Sequence, residues 1–357
     1  MIDNKNQNII TIALDAMGGD NAPDAVLRGA DLICSSRKDI RFLIFGNDEL
    51  ISPSLKKFPN LKDSSEIIHS DEVVLNDDKP SLAIRKKRHS SMAMAVKSVR
   101  KGNAIAAISS GNTGALMAFS KIMLNTLSGI DRPAIGGIMP TNSGDIVMLD
   151  MGANVACDAN NLFEFAVMGD AFARAILNKE SPSIGLLNIG SEEMKGNESI
   201  KNAAIMLNGE PSLDFYGNIE GDDIGKGIVD VVVTDGFTGN IALKTAEGTA
   251  KMYTSFLKDA LKSSLCSKIG ALLAKPALSK IKDKLDPRKH NGAMLLGLNG
   301  IVIKSHGGTD DIGFENAIKV AIKLIEHDIN KQIIEEMATS GSFLLADDDN
   351  DDSNDNS

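Results

Sequence analysis

The chain has no tryptophan, two tyrosines and three cysteines in 357 residues. Cys34, Cys157 and Cys266 lie far apart and none belongs to a CxxC pair. That excludes zinc ribbons and cysteine-held iron–sulfur clusters and fits a reducing compartment. No apolar run approaches the 18 or so residues that a membrane-spanning helix needs. Aromatic residues make up 4% and the net charge is −10. Nucleic-acid binders need a basic footprint and often stacking rings, so no nucleic-acid partner is expected. The start, "MIDNKNQN", is polar and shows no signal peptide, which points to a cytoplasmic protein. Several catalytic signatures are missing too. There is no G-x-x-x-x-G-K-[ST], no G-x-G-x-x-G after a strand and no G-x-S-x-G elbow. Cys157 and Cys266 have no neighbouring histidine. No metal and no cofactor is expected.

What is present is a repeated alternation of strand and helix. Apolar runs at 9–14, 41–45, 104–108, 134–139, 145–149, 183–189 and 228–234 are each bounded by Gly, Pro, Ser or Asp. Asn21 reads as a helix cap with Pro23 in the first turn. Residues 81–100 read as one helix, and Ile318, Ile322, Ile325, Ile329 and Ile333 mark a long amphipathic one. Strands apolar on both faces and separated by helices imply a mainly parallel sheet covered on both sides. The expected fold class is α/β, a three-layer α/β/α sandwich with two lobes. The lobes are placed at about 9–150 plus 300–340, and at 151–299, within a catalytic unit spanning 9–340. Residues 347–357 hold six Asp and no apolar side chain, leaving about −4 on the rest of the chain. Residues 341–357 are therefore expected as a disordered acidic tail.

In open parallel sheets ligands sit at the carboxyl ends of the strands. Five strand ends here carry Gly with Asp, Asn, Ser or Thr: "DAMGGD" (15–20), "SSGNTGA" (109–115), "DMGANV" (150–155), "NIGSEEMKGNE" (188–198) and "TDGFTGN" (234–240). Two of them echo each other as G-x-T-G, at Gly111–Gly114 and Gly236–Gly239. Glycines let backbone approach a ligand, and Thr hydroxyls with free amides at a helix start donate to an anion. The expected phosphate cradle is Asp15, Ser110, Asn112, Thr113, Asp235 and Thr238 facing one cleft. Lys195 supplies a cation in a polar loop. His306, in "IVIKSHGGTD", follows a strand and precedes a Gly pair, so it is a further candidate; His69, His89 and His327 read as structural or solvated. Donor loops without a nucleophile–base pair suit a reaction whose nucleophile is inorganic phosphate and whose leaving group is a thiolate.

The segment 258–289 stands apart. It carries nine Lys or Arg and three Asp, a net of +6 in an acidic chain. Leu261, Leu265, Ile269 and Leu272 fall on one helical face before Pro276 interrupts the pattern. Two amphipathic helices joined by an apolar tip at 269–273 are expected. Leu265, Ile269, Leu272 and Leu273 would enter an anionic membrane surface, and the basic flank would attract it.

The strings "ALDAMGGDNAP", "RKKRHSSM", "SGNTGALM", "RPAI", "MLDMGANV", "GLLNIGSEEMKGNE", "GNIEGDDI", "VVVTDGFTGNIALKTAEG" and "LLGLNGIVIKSHG" together resemble the bacterial phosphate acyltransferases of phospholipid synthesis, the PlsX family. The resemblance runs from about residue 9 to residue 337. It implies transfer of a long-chain acyl group from acyl-acyl carrier protein to inorganic phosphate. The acyl phosphate would feed a membrane-bound glycerol-3-phosphate acyltransferase. It implies the α/β/α fold shared with phosphotransacetylases and isopropylmalate dehydrogenases, a homodimer, and peripheral association with membranes. It also implies catalytic contacts from the Lys of "KGNE" and the Asn of "GFTGN", here Lys195 and Asn240. A short-chain phosphotransacetylase-like enzyme using acyl-coenzyme A is the alternative.

Overall fold

Burial of strands on both faces decides the architecture. β4 and β9 are buried at every position, and β6 and β7 at all but the first, as β1 is over its last four residues. The computed structural model describes residues 9–348. The chain begins with β1 (Ile10–Asp15), α1 (Asp24–Ser36), β2 (Ile40–Gly46), α2 (Asp48–Leu55), α3 (Pro59–Lys62) and β3 (Ser65–His69). Next come α4 (Pro80–Lys86), α5 (Ser91–Arg100), β4 (Ala106–Ser109), α6 (Thr113–Leu124), β5 (Ala134–Pro140) and β6 (Asp145–Leu149). They are followed by α7 (Ala159–Leu177), β7 (Ser183–Leu187), α8 (Glu198–Asn208), β8 (Asp214–Ile219), α9 (Gly221–Lys226) and β9 (Val231–Val233). α10 (Gly236–Lys262), α11 (Leu265–Lys284), β10 (Ala293–Leu296), β11 (Ile301–Lys304), α12 (Asp311–Glu326) and α13 (Ile329–Asp348) complete it.

The strands form one sheet in the order β3-β2-β1-β4-β11-β10-β5-β6-β9-β7-β8. Ile12, Leu14, Ile108 and Ile303 pack on the face covered by α1, α7 and α12. Ala13, Ala107 and Val302 pack on the other, under α5 and α6. The α/β/α class therefore holds. The sheet is continuous, and β5 and β6, which a boundary near residue 150 would put with the first lobe, lead into β9, β7 and β8.

One feature of the pairing governs the sites. β10 is antiparallel to both β11 and β5, and β5 is antiparallel to β6. β6, β9, β7 and β8 are parallel to one another. They consequently run against β3, β2, β1, β4 and β11. The reversal comes from the short turn at Thr141–Gly144, where Thr141 N donates to Gly144 O at 2.8 Å and Gly144 takes φ +139°. The carboxyl ends of the two strand sets thus lie on opposite edges of the sheet.

Several local expectations change. The helix expected over 81–100 is two, because Ser90 caps α5 by accepting from Ala93 N at 3.4 Å. The long C-terminal helix breaks at Asp328, which takes φ +49°. Asn21 does not cap α1, which starts after Pro23; its side chain donates to Thr309 O at 2.9 Å and ties the first loop to the β11–α12 loop. Residues 341–348, expected as the start of a disordered acidic tail, belong to α13, and the rest of that expected tail, 349–357, lies outside the described residues.

Candidate active site

The second edge joins the loops after β6, β9 and β7, with β9 paired to both neighbours. Its organiser is Asp150, fully buried at the end of β6. One carboxylate oxygen accepts from the N–H groups of Ile135, Gly152 and Ala153, each at 3.0 Å. The other accepts from Asn154 N at 2.8 Å and Asn154 Nδ2 at 2.9 Å. The amides of "DMGANV" are therefore spent on its own aspartate rather than on a ligand. α10 is fitted against this loop without space for side chains. A Cβ on Gly239 would stand 2.0 Å from Asp150 O, and one on Gly236 would stand 2.7 Å from Asn154 O. Both glycines of the second G-x-T-G are packing glycines. Asp235 caps α10, accepting from Thr238 N at 2.9 Å and from Thr238 Oγ1 at 2.7 Å. In the chain as it stands, Asp235 and Thr238 are hydrogen-bonded to each other.

What this scaffold presents is Asn240 and Lys195. Asn240 is half-buried in the first turns of α10, and its Nδ2 donates to Met151 O at 3.2 Å. Gly152, at φ +135°, makes room for it; a Cβ there would lie 2.6 Å from Asn240 Nδ2. Lys195 is exposed on the loop after β7. That loop is held from below by Asn188, whose Nδ2 donates to Lys195 O at 3.1 Å. The ladder between β7 and β9 ends with Leu186 beside Val233, so the loop carrying Lys195 and the start of α10 carrying Asn240 follow neighbouring strands.

The same edge carries a cation that sequence reasoning passed over. Arg132 donates through Nη1 to Ala156 O at 3.2 Å and pairs with Asp131. The "RPAI" string was its signal. Glu164, a buried residue of α7, accepts from Asp131 N at 3.0 Å and fixes that segment. Burial pushes the Glu164 carboxyl up to about 7 from 4.5, with Asp131 and Asp158 adding to the effect. A raised folded value means stability present below about 4.5 and lost as pH rises towards 7. Glu164→Gln keeps the acceptor and removes the titration. Its stability relative to the parent should rise between pH 5 and pH 8 in urea unfolding; a constant difference would contradict this assignment. Cys157, beside Asp150 and Asp235, is partly buried, and burial pushes its thiol up to about 12, which leaves it unreactive.

The first edge holds Asp15, Ser110, Asn112, Thr113 and His306. The single cleft expected for all cradle residues is not formed within the chain, because the β5–β6 turn sends the two G-x-T-G loops to opposite edges. Nor does His306 join Lys195 and Asn240. Its Nδ1 accepts from Gly308 N at 3.1 Å and its backbone N–H donates to Asn291 Oδ1 at 2.8 Å. Asn112 is structural: its Oδ1 caps Ala115 N at 3.0 Å, and its Nδ2 donates to Asn76 O and Asp78 O, each at 3.0 Å. Asp15 is fully buried and accepts from Ser91 Oγ and Ser109 Oγ, each at 2.6 Å. Burial raises its carboxyl pKa, and those hydroxyls offset only part of the effect.

The hairpin of α10 and α11 also differs in detail. The turn falls at Ser263–Ser264, where Ser264 caps α11 by accepting from Ser267 N at 3.0 Å. Pro276 lies inside α11, where helix faces are exposed and water can take the carbonyl that its missing N–H leaves over. Leu265, Ile269, Leu272 and Leu273 are 75%, 54%, 70% and 78% exposed.

The α/β/α sandwich is a fold shared with phosphotransacetylases. The structure is similar to a phosphotransacetylase from Streptococcus pyogenes at TM-score 0.61, with 17% identity, covering 92% of this chain and 96% of that one. It is also similar to a branched-chain phosphotransacylase from Enterococcus faecalis at TM-score 0.55, with 15% identity, covering 89% and 100%. A family profile described as "Fatty acid synthesis protein" matches residues 10–332. The phosphate acyltransferase of Paramagnetospirillum magneticum is 55% identical over 328 residues, 92% of this chain and 93% of that protein. The phosphate acyltransferase of Rhodospirillum centenum is 53% identical over 336 residues, 94% and 95% respectively. The chain belongs to this family, the PlsX phosphate acyltransferases, and is an acyltransferase.

Proposed function

We propose that the chain moves a long-chain acyl group from acyl-acyl carrier protein to inorganic phosphate, at the second edge of the sheet. The observation that carries the site is the adjacency of the β7–α8 loop, which presents Lys195, and the amino end of α10, which presents Asn240. A phosphate oxygen attacks the thioester carbonyl carbon. Lys195 balances phosphate charge, Asn240 donates to the developing oxyanion, and collapse of the tetrahedral intermediate expels the carrier protein's thiolate. The acyl phosphate is a labile anhydride, so its consumer is best placed nearby, at a membrane-bound glycerol-3-phosphate acyltransferase. The test is to offer purified chain palmitoyl-carrier protein or palmitoyl-coenzyme A with phosphate and to trap product as hydroxamate. Preference for the carrier protein supports the reading. Turnover of acetyl-coenzyme A alone would favour the short-chain phosphotransacetylase alternative.

The exposed apolar face of α11 and its basic surroundings support a reversible foot on an anionic membrane. No described helix is long and apolar enough to cross one. α10 leaves Met252, Tyr253 and Phe256 more than half exposed, which supports a homodimer that covers them, to be checked by sedimentation. The double variant Leu265→Asp, Ile269→Asp should lose anionic vesicles in co-sedimentation while keeping soluble activity. Vesicle binding equal to the parent's would place the foot elsewhere.

A further inference from the structure

We propose that Lys244 is a further substrate-contacting residue, whose ammonium shares with Asn240 the charge that develops on the thioester oxygen. This role rests on the reading of the second edge as the site of acyl transfer.

Helix geometry places the ammonium. Asn240 and Lys244 are four residues apart in α10, so they stand on one face, one turn from each other. Side chains lean toward the amino end of a helix, so a lysine covers the turn before its own Cα. The rise over four residues is about 6 Å, which an extended lysine spans. This molecule shows the reach twice. Lys226 Nζ lies 2.7 Å from Asp222 and Lys319 Nζ 2.7 Å from Glu315, each four residues after the acid. In α10 the place of the acid is taken by Asn240, whose amide balances no charge.

Nothing within the fold uses this cation. Lys244 is exposed, and its ammonium makes no hydrogen bond or ion pair among the described residues, although Glu247 stands three positions further on. The two carboxylates that adjoin the start of α10 are engaged elsewhere. Asp150 accepts from four backbone N–H groups and Asn154 Nδ2, and Asp235 accepts from Thr238. Asn240 points to the same need independently. Its Nδ2 spends one of two hydrogens on Met151 O, which leaves one for a substrate. A developing oxyanion is held best by several donors, and a charged donor is the stronger kind. Phe237 and Ile241 share the face of Lys244 and are at least half exposed. An acyl chain laid over them displaces water, which strengthens the pull of the ammonium on the oxyanion.

The test is steady-state kinetics of the full chain with palmitoyl-carrier protein and phosphate, read by hydroxamate trapping. Lys, Met and Arg are similar helix formers, so Lys244→Met and Lys244→Arg should fold as the parent does. Lys244→Met should lose about 10² in kcat, with little change in the KM for phosphate or carrier protein. Lys244→Arg keeps the charge and should recover much of that loss. Because both donors serve one oxygen, the Lys244→Met, Asn240→Ala double variant should fall by less than the product of the two single losses. Losses that simply multiply would overturn the shared role. Parent-like turnover in Lys244→Met beside a strongly impaired Asn240→Ala would overturn it too, and would leave the second-edge reading standing. A loss confined to the KM for carrier protein would also overturn it, by placing Lys244 on a docking surface. Parent-like turnover in Lys195→Ala, Asn240→Ala and Lys244→Met alike would remove the reading on which the role rests.

Discussion

Lys195→Ala and Asn240→Ala should each retain the fold and lose about 10²–10³ in turnover, the usual consequence of removing one donor to a developing oxyanion. The two side chains are suited to a clean experiment. Lys195 is exposed on its loop, so shortening it leaves no buried charge behind. The Asn240 side chain makes one hydrogen bond among the described residues, to Met151 O, and its loss should cost about 1 kcal/mol of stability. Phosphate dependence divides the roles further. Lys195→Ala should raise the KM for phosphate as well as lowering kcat, whereas Asn240→Ala should act mainly on kcat, because the oxyanion exists only on the reaction path. Turnover within threefold of the parent for both variants, measured by hydroxamate trapping, would remove these residues from the chemistry.

Asp150→Ala should be the most destabilising single change at this edge. Four backbone N–H groups and the Asn154 carboxamide converge on the buried carboxylate. Each buried donor left without an acceptor costs about 1–3 kcal/mol, so a loss of roughly 3 kcal/mol or more is expected in urea unfolding. Activity should fall as well, since Met151 O and Gly152 position Asn240. A loss under about 1 kcal/mol would mean that the loop holds its shape without its aspartate.

Much of this was legible in the residues. Periodicity and turn residues disclosed the strand–helix alternation, and the five Gly-rich strand ends are where the polar loops lie. Lys195 and Asn240 stood out because their strings, "KGNE" and "GFTGN", match a family, and their neighbouring placement is a property of the fold. The direction of the strands was not legible to a reading that treated 134–139 and 145–149 as separate runs. "PTNSGD" between them is a hairpin signal, and the turn it makes separates residues that looked alike into two edges. The packing role of the second G-x-T-G loop was not legible for a related reason. A Gly or Thr near a helix start suits an anion and suits close packing equally well; only the contacts of Gly239 with Asp150, and of Thr238 with Asp235, distinguish them. Asp150 and Glu164 went unnoticed as individuals because burial, not residue type, makes them consequential.

The central claim is that phosphate attacks the thioester directly and that the protein never carries the acyl group. Incubating the chain with palmitoyl-carrier protein in the absence of phosphate, followed by intact-mass measurement, tests it most directly. The account predicts an unmodified chain and no burst of free carrier protein, with acyl phosphate forming only when phosphate is added. Stoichiometric release of carrier protein together with a chain heavier by one palmitoyl group would contradict it.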